Sequence, residues 1–476
     1  MAEEVKANGA LSAQAEELKT QGNQKFKEAH FSAAIDLYTQ ALELVPSAIL
    51  FCNRSVAHLK LENYGYAEAD ATRAIECDPT YIKGYYRRGS AFFAMGKFKQ
   101  AIKDLKTVCK IVPNDRDAKT KLATAQKELR AILFAECLER ETPPPLNPEN
   151  IIVPDSYQGL HLPDVVTESW VVNLMQEFKD QKKLHKKYVV MILLRIREIL
   201  SRYTSLVYVN IPDNDEITVC GDVHGQYYDL MNIFQVNGRP NIDNPYLFNG
   251  DFVDRGSFSV EVILTLFTWK LCYPNHFHLT RGNHESKNMN KMYGFEGEVM
   301  AKYDAEVYDL FSNVFCYLPL GAVLNNKVLV VHGGLFAQDG IKLADIDNTD
   351  RVREPPESGI MCDILWSDPI KLNGRHPSKR GTSINFGPDV AHAFLNENGL
   401  DILVRSHEVK EEGYEVEANG RVITIFSAPN YCDQMGNKGA FIRFKGSEMK
   451  PKFTQFSAVP HPNIPAMNYA RQFMFS

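Results

Sequence analysis

Six short apolar runs in the C-terminal two-thirds of this 476-residue chain each end on a polar chemical group. Ile217 to Cys220 leads into Gly221-Asp222-Val223-His224, and Tyr246 to Asn249 into Gly250-Asp251-Phe252-Val253-Asp254-Arg255-Gly256. Phe277 to Thr280 leads into Arg281-Gly282-Asn283-His284-Glu285, and Lys327 to Val331 into His332-Gly333-Gly334. Leu400 to Val404 leads into Arg405-Ser406-His407, and Val422 to Phe426 into Ser427-Ala428-Pro429-Asn430-Tyr431. Runs of this length and composition read as strands. Strands that end together at one edge of a sheet gather their following turns into one cleft, so residues distant in sequence share a site.

The residues at these ends suit a pair of cations. Two ions held ~3.5–4 Å apart for phosphoester hydrolysis need carboxylate, imidazole and amide ligands, with one oxygen bridging both. Asp222, His224 and Asp251 fit one ion, and Asp251, Asn283, His332 and His407 the other, with Asp251 as the bridge. Taken singly, an Asp or His after a strand is a turn, cap or core residue. Six together, nearly all beside a glycine where backbone must pass close to a ligand, make chemistry the economical explanation.

The first third of the chain repeats itself. Phe31-x-x-Ala34, Tyr64-x-x-Ala67 and Phe98-x-x-Ala101 recur at spacings of 33 and 34 residues, each followed at the same distance by Pro46, Pro79 or Pro113. Small residues match between copies (Gly22, Ser55, Gly89; Ala41, Ala74), as required where two helices of a hairpin approach closely. Residues 1–12 are expected to be unstructured, 13–140 to form three repeats and a capping helix, and 141–165, with four prolines in 141–148, a stiff linker. Strands alternate with helices over residues 166–460. The tail, 461–476, reads either as a frayed terminus or as a docked regulatory helix.

A net charge of −6 with 44% hydrophobic and 24% charged residues describes a folded chain with no bias toward nucleic acid or an anionic membrane. The longest apolar stretch, Val189 to Leu194, stops at Arg195, and the N-terminus lacks a secretory pattern, so cytoplasm and nucleus are the expected locations. Nine scattered cysteines without Cys-x-x-Cys spacing read as reduced thiols, with Cys432, beside the candidate site, the one placed to react.

Gly-Asp-x-His-Gly, Gly-Asp-x-x-Asp-Arg-Gly and Gly-Asn-His-Glu resemble the metallophosphoesterase signature. The fuller forms at 250–256, 281–285 and 427–432 are similar to the phosphoprotein phosphatase family of serine/threonine phosphatases. The repeats resemble tetratricopeptide repeats, and the combination resembles the type-5 branch of that family. Thr280 departs from the apolar residue usual there. The fold implied is multidomain: an all-α tetratricopeptide-repeat superhelix, then an α/β metallophosphoesterase domain with a central β-sandwich flanked by helices. Two alternatives differ in class: a repeat adaptor with a dead phosphoesterase fold, which would lack a ligand or acid, and another metallophosphoesterase such as a nuclease, which usually lacks the Asp-Arg-Gly and Ser-Ala-Pro-Asn-Tyr runs.

The resemblance implies hydrolysis of phosphoserine and phosphothreonine by direct attack of a dimetal-bound hydroxide. His284 would protonate the leaving oxygen and Asp254 would orient the His284 ring. Arg255, Asn283, Arg380 and Tyr431 would bind the substrate phosphate. Arg281 and Arg405 read instead as pins for the strand ends. Oxygen- and nitrogen-rich ligation suits Mn²⁺, Mg²⁺, Fe or Zn²⁺, and the family suggests manganese in vitro and an iron–zinc pair in cells. Lys and Arg at such spacing on a generic helix are usually a solvated face, but Lys19, Asn23, Asn53, Lys83 and Arg87 all match a carboxylate clamp, and the resemblance favours binding of the acidic C-terminal tails of cytosolic heat-shock chaperones. Glu62 matches an autoinhibitory residue and reads as well as a solvated turn glutamate. Activation by fatty acids is a further property the resemblance implies.

Overall fold

The computed structural model describes residues 2–137 and 146–470. The chain divides into two compact units, residues 1–143 with 377–382, and residues 144–376 with 383–476.

In the first unit, helices α1 (Ala2–Lys27), α2 (Phe31–Leu44), α3 (Ala48–Lys60), α4 (Tyr64–Cys77), α5 (Ile82–Ala94) and α6 (Phe98–Ile111) form three hairpins stacked in chain order, and α7 (Arg116–Cys137) packs along α6. The repeat pattern has a steric origin. Ala34, Ala67 and Ala101 are wholly buried. A Cβ on Gly22 would lie 2.6 Å from the Tyr38 ring, and Ser55 is small enough to place its hydroxyl on the Ala67 carbonyl. One recurrence was not read from the sequence: Arg54 grips Asp70 through two bonds of 2.9 and 2.7 Å, and Arg88 grips Asp104 through two of 2.7 and 3.0 Å. Each carboxylate is buried, so these charged forks tie the two helices of a hairpin where apolar packing runs out.

Two boundaries need correction. Residues 1–12, expected to be unstructured, enter α1 at Ala2, because Ala, Glu and Lys there are strong helix formers. The expected linker, 141–165, lies outside the described residues up to 145. From Leu146 it is no spacer: Leu146, Ile151, Val153, Tyr157 and Leu160 pack against the core of the second unit, and Leu162 is buried. Apolar side chains between the prolines give this segment an inward face.

The second unit is a β-sandwich. Strands β1 (Leu206–Val209), β2 (Glu216–Cys220), β3 (Tyr246–Asn249), β4 (Phe277–Thr280), β5 (Gly321–Leu324), β6 (Val328–Val331), β7 (Asp368–Pro369), β8 (Arg375–Pro377), β9 (Ile384–Phe386), β10 (Ile402–Arg405), β11 (Tyr414–Glu417), β12 (Val422–Ile425), β13 (Gly439–Lys445) and β14 (Pro451–Phe456) form three sheets. Their orders are β1-β5-β6-β10-β12-β11, β14-β13-β2-β3-β4 and the small β7-β9-β8. The two large sheets share a core in which Ile217, Val219 and Leu247 of one meet Val330, Val404 and Ile423 of the other.

Helices cover both outer faces. α8 (Glu168–Lys179), α9 (Lys186–Leu200), α10 (Tyr227–Asn237), α11 (Ser259–Cys272), α12 (Lys287–Tyr293), α13 (Phe295–Lys302) and α14 (Ala305–Cys316) belong to one side. Most of them supply its largest apolar cluster, and α11 is buried nearly all round. On the other face, α15 (Leu343–Asp347), α16 (Ile360–Trp366) and α17 (Pro388–Glu397) seat Ile346, Ile364 and Leu395 in a second cluster. No helix among the described residues is long and apolar enough to cross a membrane.

The tail forms no helix as far as residue 470, and 471–476 lie outside the described residues. It lies along the second unit as an extended strap: Val459 N–H donates to Asp229 (3.0 Å), Ser257 Oγ to Pro465 O (2.6 Å) and Met467 N–H to Arg255 O (2.7 Å).

Candidate active site

The six strand ends meet, but from two sheets rather than one edge. β2, β3 and β4 run parallel in the five-stranded sheet, and β6, β10 and β12 run parallel in the six-stranded sheet. A bridge between Asp222 and Phe426 joins the two sets where their C-terminal ends converge. The sandwich achieves what a single sheet edge was expected to do, because its two parallel sets point the same way.

Around Asp251 the side chains present acceptors to one another. Its Oδ2 lies 3.4 Å from His224 Nε2 and 3.3 Å from His332 Nε2. His332 Nε2 is 2.9 Å from Asn283 Oδ1 and 3.2 Å from His407 Nδ1. Asp222 completes the group, 3.8 Å from His224 Nε2, with its other oxygen accepting the His407 N–H. All six expected ligands are buried. Two sets, His224 with Asp251 and His284, and Asp251 with His332 and His407, hold their ligand atoms within 4.8 Å of one another.

The donors needed to neutralise such a group point elsewhere. His224 Nδ1 donates to Val253 O and His332 Nδ1 to Asn249 O, both at 2.9 Å, which leaves each Nε2 lone pair facing inward. The Asn283 amide faces Asp251, His332 and His407; turned one way its nitrogen donates to all three, turned the other its oxygen joins the ligand set. Two carboxylates and three imidazoles converging with an amide that can present its oxygen fit a divalent metal pair. Electrostatics agree: burial, aided by the neighbouring Asp251, pushes the Asp222 carboxyl up to about 8; burial raises Asp254 to about 7; and burial, aided by His284, Arg255 and His332, drives the His224 imidazole well below its usual range.

His284 stands apart in its hydrogen bonding. Its backbone N–H donates to Asp251 Oδ1 (2.9 Å), while its Nδ1 meets Asp254 Oδ2 at 2.8 Å. Its Nε2 is 4.0 Å from Asp251 Oδ2, at the rim of the cluster. With Nδ1–H committed to Asp254, Nε2 is the atom that can hold or release a proton toward a substrate. Arg255 lays its guanidinium 3.9 Å from the Tyr293 ring centre, and Tyr431 stacks at a tilt 5.2 Å from His224.

Backbone strain concentrates here. His224, Asp251, Asp254, Arg255, His407 and Asn430 all hold left-handed φ values between 40° and 71°. Non-glycine residues keep that conformation only where their surroundings over-determine it. Gly250 and Gly282 let the loops touch: a Cβ on Gly282 would lie 2.2 Å from Asp251 Oδ1, and one on Gly250 2.5 Å from Gly282 N.

Two supporting residues, Glu285 and Thr280, have no role in the sequence reading. Glu285 is wholly buried and accepts the N–H groups of Asp251, Phe252 and Gly282, each at 2.8 Å, locking two ligand loops together. Thr280, the departure from the family pattern, donates to Asn249 Oδ1 (2.8 Å) in the layer beneath the site. Arg281 and Arg405 are fully buried pins: Arg281 Nε donates to Glu285 O, and Arg405 binds Gly333 O, Asp368 and Glu408. The described cysteines carry free thiols, and Cys432 is half-buried.

The remaining expected residues lie in the first unit. Lys19 and Asn23 are on α1, Asn53 on α3, and Lys83 and Arg87 on α5, the leading helices of the three hairpins. Asn53 Nδ2 donates to Asn23 Oδ1 (3.0 Å), the charges of Arg87 and Lys83 act on the Cys52 thiol of α3, and Lys19 Nζ donates to Glu16 (2.7 Å). Glu62 occupies the turn between α3 and α4 with φ 58°. Arg380 lies in the 377–382 segment, its N–H on Ser378 Oγ.

The geometry defines a metal-dependent phosphoesterase. Residues 216–411 match the calcineurin-like phosphoesterase family, 82–115 the tetratricopeptide repeat and 120–208 the PPP5 TPR repeat region. The chain is 56% identical to human serine/threonine-protein phosphatase 5 over 98% of its own length and 95% of that protein's. It is 50% identical to serine/threonine-protein phosphatase T of Trypanosoma brucei brucei, over 97% and 98% of the two chains. A solved Saccharomyces cerevisiae serine/threonine phosphatase, 40% identical, matches with a TM-score of 0.62 over 64% of this chain and 100% of that one. The chain belongs to the serine/threonine-protein phosphatase 5 family and is a metal-dependent protein phosphatase.

Metal uptake should be linked to pH with a definite sign. The Asp222 carboxyl, its folded pKa raised to about 8, stabilises the fold fully below its unfolded value near 3.8, and that contribution is lost as pH rises through about 8. A cation bound by Asp222 replaces that proton, so the rise in melting temperature on adding Mn²⁺ should be about twofold larger at pH 8 than at pH 6. An equal rise at both pH values would contradict this assignment.

Proposed function

We propose that the enzyme hydrolyses phosphoserine and phosphothreonine by direct attack of hydroxide on phosphorus, with no phosphoenzyme. The observation that carries this reading is the buried cluster of carboxylates and imidazoles around Asp251 with the His284–Asp254 pair at its rim. When bound, two divalent cations held by Asp222, His224, Asp251, Asn283, His332 and His407 lower the pKa of water toward neutrality and offset the phosphate's charge. Manganese, magnesium, iron or zinc all suit these ligands. His284 Nε2 delivers a proton to the departing Ser or Thr oxygen, and Asp254 holds the ring in the required tautomer. Arg255 and Arg380 grip the non-bridging oxygens with their forked donors, assisted by the Asn283 amide and the Tyr431 phenol. With Mn²⁺, the purified enzyme should release phosphate from a phosphoserine peptide and leave a phosphodiester intact. His284→Asn should lower kcat by about 10²- to 10⁴-fold. Cleavage of the diester in preference, or an unimpaired His284→Asn variant, would contradict the reading.

The repeat unit supports a second role in the same enzyme: recruitment to cytosolic heat-shock chaperones in cytoplasm and nucleus, with inhibition relieved on binding. Three cations and two amides on neighbouring helices suit a terminal carboxylate and an adjacent Asp. The Glu62 carboxylate suits Arg255 in place of phosphate, and occupation of the repeats by a chaperone tail or a fatty acid would free the cleft. A peptide ending in Glu-Glu-Val-Asp should bind the full chain, raise its turnover toward that of residues 144–476, and do neither after Lys83→Ala with Arg87→Ala. Equal turnover of the two chain lengths would exclude inhibition, and unchanged binding by the double variant would exclude the clamp.

A further inference from the structure

Asp254 and Arg255 are consecutive non-glycine residues in left-handed backbone, φ 71° and 68°. A turn of this kind persists only where its neighbours hold it on several sides. Downstream, the Asp254 N–H donates to Ser259 Oγ (3.1 Å), and Ser259 opens α11. That helix has no side-chain cap of its own, because its N-cap residue is Phe258. Its first N–H groups are taken from another element: Ser259 N–H donates to Glu298 Oε2 (3.0 Å) and Val260 N–H to Glu298 Oε1 (2.8 Å), from α13.

Glu298 is in turn fixed. It is 1% exposed, and Lys302 Nζ donates to its Oε1 at 2.7 Å while also binding both oxygens of Glu261, on the first turn of α11, at 2.7 and 2.6 Å. The same α12–α13 segment closes over the turn from its other side. Asn290 Nδ2 and Phe295 N–H donate to Asp254 at 3.1 and 2.8 Å, and Arg255 N–H donates to Tyr293 O at 3.0 Å.

We propose that Glu298 is a positioning residue for catalysis: capping α11 from outside and anchored by Lys302, it holds the Asp254–Arg255 turn in the form that orients His284 and faces Arg255 toward substrate phosphate. This rests on the roles given to Asp254 and Arg255 above. Glu298 lies outside the metal cluster, so its loss loosens the phosphate grip and the proton donor while the cation ligands stay in place. A residue needed only for folding would not separate those properties.

The test uses the full chain with Mn²⁺. Glu298→Gln should lower kcat/KM for p-nitrophenyl phosphate about tenfold and weaken inhibition by inorganic phosphate about fivefold, with Mn²⁺ affinity from calorimetry within about twofold of the parent. Lys302→Met, which frees Glu298 but leaves its carboxylate present, should shift both quantities the same way and less, and it decides the matter if Glu298→Gln does not fold. Parental kcat/KM in a folded variant, or Mn²⁺ affinity falling in step with activity, would overturn the proposal. Arg255→Ala serves as the reference: if phosphate inhibition is unchanged there, the phosphate-binding role of Arg255 fails instead.

Discussion

The structure turns on an electrostatic debt at Asp251. Two carboxylates and three imidazoles are buried close to one another, an arrangement that is costly without a counter-charge. Cations resolve it. The raised carboxyl value of Asp222 expresses the same fact in the metal-free chain, its burial and the neighbouring Asp251 outweighing His332 and Arg405.

Holding acceptors together requires neutral or cationic scaffolding behind them, and the second unit supplies it in layers. Backbone carbonyls of Val253 and Asn249 set the imidazole tautomers. Glu285 ties the Asp251 and Asn283 loops through three N–H groups, and the buried guanidiniums of Arg281 and Arg405 bind carbonyls and carboxylates behind the loops. Left-handed backbone at His224, Asp251, Asp254, Arg255 and His407 is the conformational cost of aiming so many side chains inward. The layered helices on both faces of the sandwich keep those loops from relaxing.

Much of this was legible in sequence because each expected metal ligand follows a short apolar run and all but His407 sit beside glycine, and because helical repeats impose a period that survives substitution. Ala34, Ala67 and Ala101 were readable as contact points for that reason, and all three are buried. What escaped was contact between elements. That the strand ends come from two sheets depends on pairing partners, which periodicity does not encode. The Arg54–Asp70 and Arg88–Asp104 forks were visible only as unrelated charges. Residues 146–165 carried a proline signal that masked their apolar inward face, and Glu298 lay in an unremarked helix whose role depends on what it caps.

Counting bound cations tests the central claim most directly. Titration of the metal-free full chain with Mn²⁺, followed by calorimetry, should give two ions per chain for the parent, and Asp251→Asn, which removes the shared carboxylate, should weaken both sites together. A variant that still takes up two ions with parental affinity, or a parent that binds none, would contradict the account.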